Sequence, residues 1–326
     1  MAQRKDPLLI DVDTGIDDAL ALLYACAQPQ VHLVGVTTVV GNVSLESATR
    51  NTRAVLKLAR RPETPVWRGS AIPLSNAVKD ASEVHGKTGL GHAVLPEPEE
   101  PPEGGHAVDS IIAAAQAHSG RLILVATGPL TNIALAVMRE PELPRLVRRF
   151  AIMGGAYADP GNVTPSAEFN IWHDPEAARI VFRAFGGVGT TPVIAVGLDV
   201  TRKTTFDAGD LERFAARVKG KPHAAALTRF IEDSSSHYFD LMEKWHGRRF
   251  LTMHDPLALG VALDPSLVET RKATVDVETT GRLTTGATVA DWRGQWGRLA
   301  NADVALSVDA ERFRTMFFDA MARLAE

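Results

Sequence analysis

Four aspartates lie within eight residues near the start of the chain, at Asp11, Asp13, Asp17 and Asp18. The apolar run 7–10 precedes them, and Gly15 stands between the two pairs. Carboxylates this close raise each other's pKa unless a cation joins them, and no lysine or arginine occurs between Asp6 and Arg50. Oxygen ligands of this kind suit calcium or magnesium. We therefore expect a divalent metal site or an acid–base site here.

Helix capping is the structural alternative for these acids. Asp13 or Asp17 could accept hydrogen bonds from the free amides at the start of the helix that the sequence predicts from Ile16 onward. Capping accounts for one carboxylate or for two of them. It gives no reason for four.

The composition describes an ordinary globular chain. Of 326 residues, 45% are hydrophobic and 23% are charged, which is enough apolar material for a sizeable core. The formal net charge of −4 provides no basic field, so we expect no nucleic-acid partner. A single cysteine excludes an internal disulfide and a multi-cysteine metal site. We also expect no membrane span, no signal peptide and a cytoplasmic location.

Apolar β-branched runs alternate with helical segments through the first two thirds of the chain. This pattern predicts an α/β fold with a mainly parallel central sheet covered by helices. Near the end, the segments 273–278, 287–291 and 303–308 have the character of strands, and we expect this tail to add antiparallel strands to one edge. We see no linker, so residues 1–326 are predicted to form one catalytic domain.

Polar residues follow the predicted strands at their carboxyl ends, where open α/β sheets bind their ligands. After the second, third and fourth strands, and at the start of a late helix, these residues are Asn42, Thr127, Asn162, Glu168, Asn170, His254 and Asp255. Each has a structural alternative, since Asn42 suits a turn, Asp255 a helix N-cap, Glu168 a solvated surface and His254 a packing role. The convergence of all of them on one rim favours a functional site.

Two long segments have no clear regular structure in the sequence. Gly69–Gly105 contains a glycine-rich stretch with His85, and Ala224–Met253 combines helical character with polar and aromatic clusters. Long irregular segments in compact domains are often lids or binding loops. For the second segment, a pair of surface helices is the alternative.

Several blocks, in order along nearly the whole chain, resemble the nucleoside hydrolases of the inosine–uridine-preferring type. The N-terminal block DVDTGIDDA at 11–19 is similar to the signature of that family. Further similar blocks are VVGN at 39–42, ATGPLTN at 126–132, MGG at 153–155, AEFN at 167–170, DPEAA at 174–178 and HDP at 254–256. The resemblance implies an N-ribosyl hydrolase of nucleoside hydrolase-like fold that cleaves ribonucleosides into ribose and free base.

The resemblance also implies a role for each matching residue. Asp13, Asp18, the backbone carbonyl of Thr127 and Asp255 would hold one Ca²⁺ ion. Asp13 would in addition act as the general base, and His254 would protonate or orient the departing base. The substrate would be held by Asp17, Asn42, His85, Asn162, Glu168 and Asn170. A homodimer or homotetramer is expected, with a small-molecule nucleoside as the partner.

Other functions stay open at this point. The block at 11–14 also resembles the first motif of aspartate-nucleophile phosphatases, although that motif does not predict Asp17, Asp18 or the later blocks. A non-catalytic protein that binds nucleosides or ribose could keep the same fold. Within the hydrolase interpretation, the base could be a purine, a pyrimidine or either, and an unusual ribosyl substrate such as a C-nucleoside or nicotinamide riboside remains an alternative.

Overall fold

The structure is a computed structural model that describes residues 5–75, 77–78, 81–98, 101 and 103–326. Within these residues the chain forms eleven strands. In chain order they are β1 (Asp6–Val12), β2 (Val31–Thr38), β3 (Val66–Arg68), β4 (Leu122–Ala126), β5 (Val147–Met153), β6 (Val193–Val196), β7 (Thr205–Phe206), β8 (Leu251–Thr252), β9 (Val268–Val277), β10 (Thr288–Asp291) and β11 (Ala302–Val308).

Nine of the described strands form one sheet in the order β10-β9-β11-β6-β5-β4-β1-β2-β3. From β11 to β3 each strand runs parallel to its neighbours, and β9 and β10 are antiparallel at one edge. The predicted α/β fold with a mainly parallel sheet is therefore confirmed. The prediction that the tail adds antiparallel strands to one edge is also confirmed, since β9 pairs antiparallel with both β11 and β10, while β11 joins them to the rest of the sheet by pairing in parallel with β6.

Helices cover both faces of this sheet. They are α1 (Ile16–Cys26), α2 (Leu45–Leu58), α3 (Ser82–His85), α4 (Ala107–Ala117), α5 (Thr131–Arg139), α6 (Leu143–Leu146), α7 (Phe169–His173), α8 (Pro175–Ala184), α9 (Leu198–Thr201), α10 (Ala208–Val218), α11 (Ala224–His246), α12 (His254–Leu263) and α13 (Ala310–Leu324), with a short 3₁₀ turn at Pro265–Leu267. None of the described helices is both long enough and apolar enough to cross a membrane.

Strand β1 shows why the sheet needs cover on both faces. Leu8 and Ile10 belong to one hydrophobic cluster, with Leu257 of α12, while Leu9 belongs to a second cluster with Ile133 of α5. Successive side chains of a strand point to opposite faces, so a strand with consecutive apolar residues such as Leu8, Leu9 and Ile10 must be buried on both sides. Full burial of each of these leucines contributes about 1.5–3 kcal/mol.

The segment Ala224–Met253 differs from its predicted form. Most of it is the single 23-residue helix α11, which ends at Gly247 in the left-handed conformation, so it is neither an irregular loop nor a pair of helices. The segment Gly69–Gly105 is largely irregular where it is described, with α3 inside it. Its positions 76, 79, 80, 99, 100 and 102 lie outside the described residues.

Candidate active site

Asp11 lies near the end of β1 and ties neighbouring elements together. Its Oδ1 accepts hydrogen bonds from the Thr37 hydroxyl at 2.6 Å and from the Asn132 side-chain amide at 2.8 Å. Burial raises the pKa of Asp11 to about 7. The side chain does not line the large cavity described below. Asp11 therefore has a structural role among the four clustered aspartates, since its buried carboxylate links β1 to β2 and α5.

Three other carboxylates meet where two helices begin. Asp17 and Asp18 lie in the first turn of α1, Asp255 lies in the first turn of α12, and one oxygen from each is within 4.8 Å of the others. Asp18 is fixed further, since its Oδ2 accepts the Gly15 amide at 2.9 Å and its Oδ1 accepts the Thr127 hydroxyl at 2.7 Å. The contact between α1 and α12 brings together acids that are far apart in the chain.

Asp13 is enclosed by the backbone of two glycines. A Cβ atom added to Gly41 would lie 2.0 Å from Asp13 Oδ2, and one added to Gly128 would lie 2.9 Å from Oδ1. Oδ2 accepts the backbone amide of Asn42 at 2.6 Å, whereas Oδ1 is buried and has no hydrogen-bond partner among the described residues. One oxygen is thus fixed by the protein and the other is left for a ligand.

These carboxylates fit a hard divalent cation. Burial raises the pKa of Asp13 and of Asp255 well above the usual range and that of Asp17 to about 7, and neighbouring aspartates add to each shift. His85 Nδ1 lies 3.9 Å from Asp17 Oδ1, but burial lowers the pKa of this imidazole to about 3, so it carries no compensating charge. Buried, mutually repelling carboxylate oxygens, two of them unpaired, suit Ca²⁺.

The ends of β4 and β5 are joined by Asn170. Its side-chain amide donates to the Thr127 carbonyl at 2.7 Å and to the Met153 carbonyl at 3.1 Å. Thr127, which follows β4, in turn donates its hydroxyl to Asp18. The Thr127 carbonyl, an expected metal ligand, is therefore held beside the carboxylate cluster.

Glu168 is buried, so the alternative interpretation that it is a solvated surface acid is wrong. Its carboxylate accepts backbone amides of Asn170 at 2.8 Å, Gly155 at 2.9 Å and Ile171 at 3.2 Å. Burial raises the pKa of Glu168, and these three donors counteract that effect. The carboxylate caps α7 and is locked in one orientation in the wall of the cavity.

Asn162, on a loop, and His85, at the end of α3, both line the cavity. Asn162 is exposed, and its Oδ1 accepts the Phe169 amide at 3.0 Å. His85 is buried, and its Nδ1 accepts the Ile16 amide at 3.1 Å, which leaves Nε2 to carry the hydrogen. His85 therefore caps α1 directly beside the acidic cluster.

His254 begins α12 and faces the cavity next to Asp255. Its Nδ1 lies 2.8 Å from the hydroxyl oxygen of Thr201. Burial, followed by the positive charge of Arg202, lowers the pKa of His254 to about 4. With Nδ1 engaged, Nε2 is the ring nitrogen left for a ligand.

A cavity of about 700 Å³ connects these groups. Among the predicted site residues, nine line it, at Asp17, Asn42, His85, Thr127, Asn162, Glu168, Asn170, His254 and Asp255. Asp13 and Asp18 do not line it and are fully buried. The predicted strand-end residues thus gather at one cavity, with two carboxylates behind its wall.

The segment Ala224–Met253, which the sequence indicates as a lid or binding segment, also contributes side chains to the cavity. Tyr238, Met242 and Trp245 of α11 line it together with Phe250. The spacing of the first three, at i, i+4 and i+7, places them on one helix face and was a readable signal. The cavity wall therefore combines acidic and oxygen-rich groups with aromatic side chains, which suits a polyhydroxylated sugar linked to a flat ring.

The end of β6 was also missed. The short helix α9 follows this strand, and Leu198 and Arg202 line the cavity while Thr201 contacts His254. The rule that ligands bind at the carboxyl ends of parallel strands would have indicated this segment.

Comparison with known proteins places this geometry in a family. Residues 8–315 match the model of the family described as inosine-uridine preferring nucleoside hydrolase. The pyrimidine-specific ribonucleoside hydrolase RihA of Salmonella gallinarum is 40% identical over 307 residues, which cover 94% of this chain and 95% of that protein.

Solved structures give the same result. A purine-preferring ribonucleoside hydrolase from Gardnerella vaginalis superposes with a TM-score of 0.90 at 33% identity, covering 98% of this chain and 99% of the other. An inosine-guanosine nucleoside hydrolase superposes with a TM-score of 0.85 at 30% identity, covering 97% and 98%. The chain belongs to the inosine-uridine preferring nucleoside hydrolase family and is a hydrolase of N-glycosidic bonds in ribonucleosides.

Proposed function

We propose that this chain is a Ca²⁺-dependent hydrolase that cleaves ribonucleosides into ribose and free base within one catalytic domain. The observation that carries the proposal is the cluster of buried carboxylates with unpaired oxygens beside a cavity that aromatic side chains also line. The sugar would lie next to the carboxylates. The base would lie against the side chains of α11.

The Ca²⁺ ligands would be Asp13, Asp18, the Thr127 carbonyl and Asp255. Asp17 belongs to the same group of close oxygens as Asp18 and Asp255, so it would border both the ion and the ribose. A bound Ca²⁺ ion would supply positive charge that polarises a water molecule and attracts the ribose hydroxyls. The unpaired oxygens of Asp13 and Asp17 support this assignment.

Asp13 would act as the general base through Oδ1. The amide of Asn42 fixes the other oxygen, Oδ2, so the proton taken from the attacking water would arrive on the oxygen that has no partner. A general base of this kind contributes about 10²–10⁴-fold to the rate.

The ribose would be held by Asp17, Asn42, Asn162, Glu168 and Asn170, with His85 closing one side. Cleavage of the C–N bond builds positive charge on the sugar, and fixed carboxylates close to it stabilise that charge. Glu168 suits this role because three backbone amides hold its carboxylate rigidly. Its orientation would need no adjustment as the charge develops.

His254 would act on the departing base through Nε2. The ring is neutral at neutral pH because burial lowers its pKa to about 4. A neutral ring whose Nδ1 accepts a hydrogen bond carries its hydrogen on Nε2 and can donate it to the base as negative charge builds there. Hydrogen bonding or protonation of the base makes it a better leaving group.

The base preference is proposed to be broad. The relatives named above are described as a pyrimidine-specific, a purine-preferring and an inosine-guanosine hydrolase, and the aromatic side chains in the wall of this cavity offer stacking that every base can use. The cytoplasmic location and the homodimeric or homotetrameric state expected from the sequence stay predictions.

A panel of substrates tests the proposal. Purine and pyrimidine nucleosides are expected to yield free ribose without added phosphate, and nucleoside 5′-phosphates to be poor substrates. The buried carboxylates of the site would repel a phosphate dianion. Arg202, the cationic side chain in the cavity wall, already donates to the carbonyls of Pro160 and Gly161. Ribose release and base release are measured by chromatography. A preference for nucleotides, or a requirement for inorganic phosphate, would refute this function.

A further inference from the structure

The helix α9 reaches the active site through Thr201. This side chain is fully buried, and its hydroxyl oxygen lies 2.8 Å from Nδ1 of His254, which is 53 residues away in the chain. The two-stranded pair β7–β8 makes this meeting possible, because it joins the chain after α9 to the chain before α12. The Met253 amide also donates to the Thr204 carbonyl at 2.9 Å, which fixes the start of α12 against α9.

The helix that carries Thr201 is itself held firmly. The carboxylate of Asp199 accepts the backbone amides of Tyr157 at 3.0 Å, Ala158 at 2.7 Å and Asp159 at 3.1 Å. The Leu198 amide donates to the Gly155 carbonyl at 2.9 Å. The Thr201 hydroxyl is thus mounted on a segment that has little freedom to move.

The hydrogen bond has a defined effect on the imidazole ring. A histidine side chain turns about its last torsion with little resistance, so packing alone leaves two flipped orientations of similar shape. A hydroxyl at Nδ1 favours the ring orientation that brings a nitrogen rather than a carbon to it, and when the hydroxyl donates to Nδ1 the hydrogen of the neutral ring is left on Nε2. In that arrangement Nε2–H points away from α9 and is free to serve a ligand.

We propose that Thr201 is a positioning residue that orients His254 so that Nε2 meets the departing base. This inference rests on the proposed role of His254. It adds that the effect of His254 on the leaving group depends on a hydroxyl that makes no direct contact with the substrate. A threonine that merely fills buried space would have no such specific effect.

The test compares two substrates in a set of variants. Inosine has a leaving group that needs help from His254, whereas p-nitrophenyl riboside releases an anion that is already stable. Thr201→Val keeps the shape and removes the hydroxyl. We expect it to lower kcat for inosine about tenfold, the value of one neutral hydrogen bond, and to leave p-nitrophenyl riboside unaffected. Thr201→Ser keeps a hydroxyl and should restore inosine cleavage.

A matched control is available three residues further on. Thr204 is also fully buried, but its hydroxyl bonds only to the Val200 carbonyl, at 3.4 Å, among the described contacts. The Thr204→Val variant should cleave both substrates with the kcat of the wild type. If it separates them as Thr201→Val does, the effect is not specific to the His254 contact and the inference is overturned. Circular dichroism verifies the fold of each variant, and Thr201→Ala replaces Thr201→Val if valine prevents folding.

His254→Ala distinguishes failure of this inference from failure of the proposed function. If His254→Ala slows cleavage of both substrates equally, the proposed role of His254 is refuted, and the role of Thr201 is refuted with it. If His254→Ala slows inosine alone and the Thr201 variants slow both substrates equally or neither, only the assignment of Thr201 is overturned. Selective loss of inosine cleavage in both Thr201→Val and His254→Ala supports the inference.

Discussion

Asp13→Asn is expected to abolish nucleoside turnover while the protein stays folded. The substitution keeps the size of the side chain and the acceptor for the Asn42 amide, but it removes the charge and the base at Oδ1. Loss of general base catalysis alone costs about 10²–10⁴-fold, and a larger loss would indicate that a bound cation is weakened as well. Steady-state release of ribose from inosine and uridine measures the effect.

A matched control for Asp13→Asn is the same change at Asp276. This aspartate lies on β9, forms ion pairs with Arg183 and Arg298, and does not line the cavity. Asp276→Asn should therefore keep full activity. An Asp13→Asn protein that retains more than about a tenth of the wild-type rate would remove Asp13 from the mechanism, because even the weakest general base contributes more than that.

Chelation is expected to remove activity and lower the thermal stability together. Without a cation, Asp13, Asp17, Asp18 and Asp255 repel one another in a buried site. A ligand that binds only the folded state raises the midpoint of unfolding, so added Ca²⁺ should raise Tm and restore ribose release. Both are measured on protein stripped with a strong chelator. Full activity after stripping, with an unchanged Tm, would show that no cation takes part.

The amino-acid sequence predicts that the N-terminal carboxylates of the site lie close together, and the reasons are local. Asp13, Asp17 and Asp18 follow an apolar strand and open a helix, so their proximity is set by a few residues of chain. The strand-end rule then brings Asn42 and Thr127 to the same edge, because parallel strands carry their carboxyl ends together. These placements need no knowledge of the tertiary structure beyond the sheet itself.

The aromatic part of the cavity wall and α9 were harder to predict because they depend on distant contacts. Tyr238, Met242 and Trp245 share a helix face, but the same spacing also describes a helix that faces the core. The contact from Thr201 to His254 depends on the two-residue strands β7 and β8, which are too short to produce a periodic pattern. Chain segments of this length take their conformation from tertiary pairing.

The position of Asp17 was also hard to predict from the sequence. The family resemblance assigns it to the ribose, whereas the structure groups its carboxylate with those of Asp18 and Asp255. That grouping arises from the contact between α1 and α12. This grouping of the three carboxylates cannot be predicted from the order of residues along the chain.

The central claim, that the carboxylate cluster is a Ca²⁺ site, is tested most directly by calorimetric titration of Ca²⁺ into chelator-stripped protein. The wild type is expected to bind one ion per chain. Asp255→Ala, which removes one of the three close carboxylates, should bind far more weakly, while Asp276→Asn should bind like the wild type. Absence of binding to the wild type, or equal binding by Asp255→Ala, would contradict the account.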